Sequence, residues 1–156
     1  MEVENKLKEM GLELPQPTVP AAHRSSAVRT GNLVFVGGHG ARMPDGSMLH
    51  GGKVGRDVTI EQGYEAAKRT MLNCLASLKA EIGDLDKVTR VVKLLCMVNS
   101  APGFGDQPRV ANGATDLLGA LYGERGHHAR SAVGLEKGDL TESTCIEIEM
   151  IVEVAD

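Results

Sequence analysis

The stretch His127-His128-Ala129-Arg130-Ser131-Ala132-Val133-Gly134, followed by Cys145-Ile146-Glu147-Ile148-Glu149-Met150-Ile151-Val152-Glu153-Val154, decides the fold. Its second half alternates strictly. Ile146, Ile148, Met150, Val152 and Val154 fall on one face, and Glu147, Glu149 and Glu153 fall on the other. A period of two marks a strand with one buried face, because successive side chains of a strand point to opposite sides. The first half sets one arginine between small residues as a polar loop turns into a strand. A short loop joins the two pieces, which predicts a hairpin-like return placing Arg130 opposite Glu147. A fixed cation beside a carboxylate would suit a small anionic substrate and a nearby water.

Working outward, Glu2 to Met10 reads as a short charged helix with Val3, Leu7 and Met10 on one side and Gly11 as its stop. Leu14 to Ala22 is an extended connector carrying Pro15, Pro17 and Pro20. Ser26–Arg29 and Asn32–Val36 flank Thr30-Gly31 and read as two paired strands. A turn-rich loop follows from Gly37 to Gly55, with Pro44-Asp45-Gly46 as a turn. Thr59-Ile60-Glu61-Gln62 is a capping box that opens a long helix. Tyr64, Ala67, Met71, Leu75, Leu78 and Ile82 recur every three or four residues along it, and Gly83-Asp84 ends it. Val88–Val98 is a long strand. Asp106 is placed to cap a second helix with Pro108 in its first turn. Val110, Ala114, Leu117, Leu118 and Leu121 give that helix its inward face, and it stops near Gly123. The order β-β-α-β-α-β-β predicts an α+β fold: a single mixed β-sheet with two helices packed on one face. The carboxylate face of the last strand must then meet water, a ligand or a partner subunit.

Composition narrows the function. The 156 residues are 42% hydrophobic and 24% charged, which is globular and enough for one domain with a sizeable core. Residues 1–22 form its N-terminal helix and Pro-rich connector. A net charge of −4 and a pI near 5.7 provide no basic footprint for nucleic acid. Aromatic residues at 3%, with no Trp, leave few platforms for stacking bases. No segment has the apolar length to cross a bilayer, and Met1-Glu2-Val3-Glu4-Asn5-Lys6 is too polar for a signal peptide. Cys74, Cys96 and Cys145 are odd in number, widely spaced and outside any CxxC, which fits a reducing, cytoplasmic setting. His127 and His128 are adjacent and accompanied by neither HExxH nor CxxC, so no metal site is expected. Cys74 reads as a small core residue, and Cys96 and Cys145 have no adjacent His to activate them.

Two residues carry candidate chemistry. The guanidinium of Arg130 is a planar fork matched to a carboxylate; the alternative is a structural salt bridge to Glu147 or Glu149. Glu147, beside a sheltered pocket, can orient or deprotonate water; the alternative is an exposed strand glutamate that keeps an edge soluble. Asn112 reads equally as a capping amide, a surface amide or a site residue.

These residues resemble the Rid, or YjgF-like, family of reactive-intermediate deaminases. The "ARS" strand at Ala129-Arg130-Ser131 and the final "EIE" at Glu147-Ile148-Glu149 carry the likeness. Gly31-Asn32-Leu33-Val34-Phe35-Val36-Gly37-Gly38-His39 matches the family's first long strand, Val91-Val92-Lys93 its central strand, and Asn112 its helix asparagine. The resemblance runs from about residue 22 to the C-terminus. Gly52-Lys53-Val54-Gly55, Asn99-Ser100-Ala101-Pro102 and Asp106-Gln107-Pro108 mark the longer chorismate-mutase-like branch. It implies a YjgF-like fold that assembles as a homotrimer with sites between subunits. It also implies hydrolysis of enamines or imines, the 2-imino acids, to 2-keto acids and ammonia with no cofactor. On this likeness Arg130 holds the substrate carboxylate and Glu147 positions the water. Backbone groups at Ser131 and Ala132 fix the imine, and Gly38, His39, Arg24 and Asn112 line the rest of the site. The chain departs from the family in having Arg24-Ser25-Ser26 in place of a tyrosine two residues before a glutamine. It also has Gly37-Gly38-His39 in place of "SGQ", and Lys137-Gly138-Asp139-Leu140 in place of an "LP" turn. Arg24 thereby adds a second cation. The competing functions are a non-catalytic metabolite-binding trimer and RNA cleavage, which is also attached to the family.

Overall fold

A computed structural model describes residues 1–156. In chain order the elements are α1 (Glu2–Glu9), β1 (Ala27–Thr30), β2 (Leu33–Gly40), α2 (Ile60–Ile82), β3 (Val88–Asn99), α3 (Gln107–Tyr122), β4 (Ala129–Leu135) and β5 (Ile146–Val154). The strands form one mixed sheet in the order β1-β2-β5-β3-β4, parallel only between β3 and β4. This is the expected α+β layout, with α2 and α3 packed together on one face and α1 added as a third helix against α3.

The alternation of β5 accounts for its central place. Ile146, Ile148, Met150, Val152 and Val154 are all buried beneath the helices, so the strand gains most with neighbours on both sides. The inward positions of β4 are Arg130, Ala132 and Gly134, which cannot fill a central slot, and β4 lies at the sheet edge. The hairpin expected between these strands does not form. α3 carries the chain back in the direction of β3, so β4 adds parallel to β3, pairing Lys93 with Ala129 and Leu94 with Arg130. β3 therefore separates β4 from β5.

The capping box of α2 is made as read. Thr59 Oγ1 accepts from Gln62 N at 3.1 Å, and Gln62 Oε1 accepts from Thr59 N at 3.0 Å. The helix buries Ala67, Met71, Leu75, Leu78 and Ile82, while Tyr64 turns outward to donate its hydroxyl to Asp116 on α3. Gly113 brings α3 against the backbone of Tyr64, where any Cβ would collide with a carbonyl. Asp106 does not cap α3. Its backbone is not in the extended region a capping residue uses, and its carboxylate turns to Arg109 at 3.7 Å. The N-terminus of α1 borrows its cap from a distant turn, Asp86 accepting from Glu2 N and Val3 N at 2.7 and 2.9 Å. Val3 and Leu7 are buried as expected, whereas Met10 lies past the helix end and is exposed. No helix is long and apolar enough to cross a membrane.

The face of the sheet opposite the helices is uncovered. Val28 (54% exposed), Phe35 (44%) and Val133 (46%) lie there with the carboxylates of β5.

Candidate functional site

One group of candidate residues is arranged by a bulge. Between Val36 and His39 the register of β2 against β5 shifts, so Val36 faces Met150 but His39 faces Ile148 and Gly40 faces Glu147. One extra residue on β2 breaks the ladder and re-aims the side chains beyond it. Pairing with β1 stops at Ala27, with one further bond from Gly37 N to Ser26 O, and β2 runs on with an open edge. A cavity of about 330 Å³ occupies that edge, and its wall includes Arg24, Gly38, His39, Arg42, Lys137 and Glu147.

Glu147 alternates with buried Ile146 and Ile148, which holds its backbone firmly while the carboxylate enters the cavity. Its Oε1 accepts from Lys137 Nζ at 2.7 Å, and its carboxylate lies against Gly38. A Cβ on Gly38 would sit 2.9 Å from Glu147 Cδ, so a glycine is what lets the carboxylate approach the bulge. His39 hydrogen-bonds through Nδ1 to Gly37 O at 2.6 Å and through Nε2 to Ser77 Oγ at 2.8 Å. Because the carbonyl can only accept, Nδ1 carries the proton and Nε2 accepts from the serine hydroxyl. Burial lowers the His39 pKa; the bond to Gly37 and the charge of Glu147 oppose this, and Arg24 adds to it. His39 is therefore a neutral wall at pH 7 with both nitrogens engaged.

Lys137 is held from below. Asn99, fully buried, accepts from Lys137 N at 3.0 Å and from Lys53 Nζ at 3.1 Å through Oδ1, and donates to Gly138 O at 3.1 Å. Arg56 Nη2 donates to Asp139 O at 2.6 Å on the same loop. Asn73 donates to Gly40 O and Arg42 O at 2.9 and 3.0 Å, and so fixes the far wall.

A second group of candidate residues lies on β4. Arg130 Nη1 donates to Asn112 Oδ1 at 2.8 Å and to Thr115 Oγ1 at 2.9 Å, both on α3. Thr115 is itself fixed, 3.0 Å from His128 Nε2, and His128 Nδ1 donates to Gly126 O at 2.7 Å. Burial lowers the His128 pKa, and the neutral ring accepts the threonine hydroxyl, leaving the lone pairs of that oxygen for Arg130. Arg130 is thus oriented by two neutral acceptors and has no carboxylate partner within 4.0 Å. Ser131 points to the other face, where its hydroxyl accepts from Lys93 at 3.0 Å. Ala132 packs against the core.

Within one chain Arg130 does not face Glu147. Arg130 lies level with Leu94 and turns toward α3, whereas Glu147 lies level with Met97 on the far side of β3 and on the opposite face. The expected juxtaposition therefore fails for the same reason as the hairpin. The structure instead forms two groups: Arg24, Gly38, His39 and Glu147 around the cavity, and Arg130 with Asn112 beside Ser131 and Ala132 on the edge strand. No group of three His, Cys, Asp or Glu is arranged to hold a metal ion. Burial pushes the thiols of Cys96 and Cys145 up to about 11 and about 12, and that of Cys74 higher still, so none is a ready nucleophile.

The sequence profile of the family described as "YjgF/chorismate_mutase-like, putative endoribonuclease" matches residues 4–146. The chain belongs to the YjgF family. It is 38% identical over 149 residues to Protein TCP17 of Trypanosoma cruzi, covering 95% of this chain and 91% of that one. A solved protein of unknown function from Agrobacterium tumefaciens is 39% identical with a TM-score of 0.88, covering 99% and 94% of the two chains. A "putative endoribonuclease" from Shewanella oneidensis is 26% identical with a TM-score of 0.90, covering 99% and 100%.

As a YjgF-family chain, this one adds cavity residues that the sequence reading missed. Lys137 was visible only as part of a changed turn, and its contact with Glu147 depends on where the β4–β5 loop folds back. Arg42 carried no signal of its own. Asn73 did offer one, as an amide flanking the buried stripe of α2. Lys53 and Asn99 had been marks of kinship only; in this YjgF-family fold they anchor the loop that delivers Lys137.

Proposed function

We propose that the protein hydrolyses small 2-imino acids to 2-keto acids and ammonia, in a site completed when Arg130 of one copy meets Glu147 of another. The observation that carries this reading is the state of Arg130: oriented by Asn112 and Thr115, unneutralised, and out of reach of Glu147 in its own chain. An arginine that is positioned but lacks a counter-ion is suited to bind an incoming carboxylate, with Nε and Nη2 free for a two-pronged contact. β4 is an edge strand, so its outer backbone groups around Ser131 and Ala132 are available to the imine. With Oε1 of Glu147 on Lys137, Oε2 remains to accept a proton from water. Water oxygen adds to the imine carbon as that proton passes to Glu147, which returns it to the nitrogen. The new hydroxyl then loses its proton to Glu147 as the C–N bond breaks, and that proton leaves with the amine, releasing ammonia and the keto acid. An imine is already electrophilic, so placement and modest proton transfer suffice.

The uncovered sheet face supports the assembly, because it leaves Val28 and Phe35 at one edge and Val133 at the other as exposed apolar side chains that neighbouring copies of a homotrimer would cover. One observation favours a second reading, a non-catalytic binder: the Lys137–Glu147 pair occupies half of the carboxylate. Glu147→Gln separates the two. An enzyme loses imine turnover while calorimetry still detects pyruvate binding. A binder gives equal affinities in both proteins and no rate above the uncatalysed one. Unchanged turnover in Glu147→Gln sinks the catalytic role.

A further inference from the structure

The cavity carries more positive charge than one carboxylate needs. Its charged residues are Arg24, Arg42 and Lys137 against the single carboxylate of Glu147. Only Lys137 is paired, at 2.7 Å from Glu147. Arg42 makes one weak contact, from Nη1 to Gly46 O at 3.5 Å, and neither it nor Arg24 has a carboxylate within 4.0 Å. A second cavity shares Thr18, Arg42 and Asn73 with the first and adds Arg69 together with Glu13, whose carboxylate pairs with neither arginine within 4.0 Å. Arg69 Nε donates to Arg42 O at 3.1 Å, and its partial burial is uncompensated by any carboxylate. These cations gather in a chain whose 21 acidic residues outnumber its 17 Lys and Arg. Unpaired guanidinium groups drawn to one wall repel one another unless an anion joins them.

We infer that the substrate is a dianion, an imino acid whose side chain ends in a second carboxylate held by Arg24 and Arg42. This rests on the proposed imine hydrolysis, in which Arg130 of the adjacent copy takes the first carboxylate. The pocket's own cations are then left for the second. His39, neutral and with both nitrogens engaged, contributes shape rather than charge to the subsite. Arg24 and Arg42 come from different segments, before β1 and after β2, and both line the one cavity.

The test uses the stable keto-acid products as probes. Calorimetry compares oxaloacetate, 2-oxoglutarate and pyruvate on the intact protein and on Arg24→Gln/Arg42→Gln, with circular dichroism to verify folding. Both side chains are exposed, so the variant keeps its core. The expected result is a preference of roughly tenfold or more for a dicarboxylate over pyruvate, which the double variant loses. Imine decay should follow the same order, with 2-iminosuccinate or 2-iminoglutarate consumed faster than 2-iminopropanoate. Equal affinity for pyruvate and the dicarboxylates overturns the inference and leaves imine hydrolysis standing. Tighter binding of 3-phosphonopyruvate than of oxaloacetate overturns the assignment to a carboxylate. If no keto acid binds and no imine is consumed, the functional reading falls and takes this inference with it.

Discussion

Replacing Arg130 with alanine removes a guanidinium whose Nη1 is committed to Asn112 and Thr115 and whose other donors are free. A hydrogen bond to a charged partner contributes about 1.5–3 kcal/mol. Lost from the transition state, that is roughly 10- to 150-fold in kcat/KM. Arg130 is half-buried, which favours the lower end for binding alone, and a substrate free to swing loses further rate in kcat. The cost to folding is small. Asn112 Oδ1 and Thr115 Oγ1 are only half-buried, so water replaces the lost donor. We expect no more than about 1 kcal/mol, a shift in Tm of roughly 2–4 °C. Arg130→Lys, which keeps the charge and loses the fork, should fall between the two proteins. The assay is decay of 2-iminopropanoate and of a dicarboxylic imine, beside a thermal melt. A folded Arg130→Ala protein whose kcat/KM stays within about twofold of the parent refutes the anchor.

Gly38→Ala should push the Glu147 carboxylate off the bulge and lower imine turnover by about tenfold or more, with little change in the melt; turnover equal to the parent would show that this placement is immaterial. Met150→Ala, in the most enclosed strand, should cost about 2–5 kcal/mol in denaturant unfolding, and a smaller loss would mean that the core closes around the gap. His39 and His128 both have pKa values lowered by burial from 6.5. As the pH drops through 6.5 the unfolded chain takes up protons first, so their contribution is complete above that value and is lost below it. Melts between pH 7.5 and 5 should show stability falling, and His39→Gln/His128→Gln should flatten the slope; identical slopes would assign the loss to other groups.

What could be read from the sequence was local. The alternation of β5 and the capping box of α2 are patterns within one element, and each fixes which residues turn inward. The partner of β4 was not local. Arg130 and Glu147 look adjacent when two late strands are imagined as a hairpin, but α3 reverses the chain so that β4 pairs with β3. The neutral clamp on Arg130 followed the same rule, because Thr115 and Asn112 reach it only once α3 is docked. The bulge was foreshadowed by Gly37-Gly38, yet its effect on His39 needed the register with β5. Resemblance supplied Arg130 and Glu147 as a functional pair; the fold corrected how they are arranged.

If the proposed site is shared between copies, the placement of Arg130 and Glu147 on opposite sides of β3 governs how mixed assemblies behave. A chain lacking Arg130 still offers a good carboxylate, and a chain lacking Glu147 still offers a good arginine. Two inactive proteins, co-expressed or exchanged in solution, should therefore rescue each other. With random mixing and one arginine and one glutamate per junction, about a quarter of the junctions are whole. Inheritance of one defective copy would then weaken the activity of every assembly it enters, while two different defects could together restore part of what each alone abolishes.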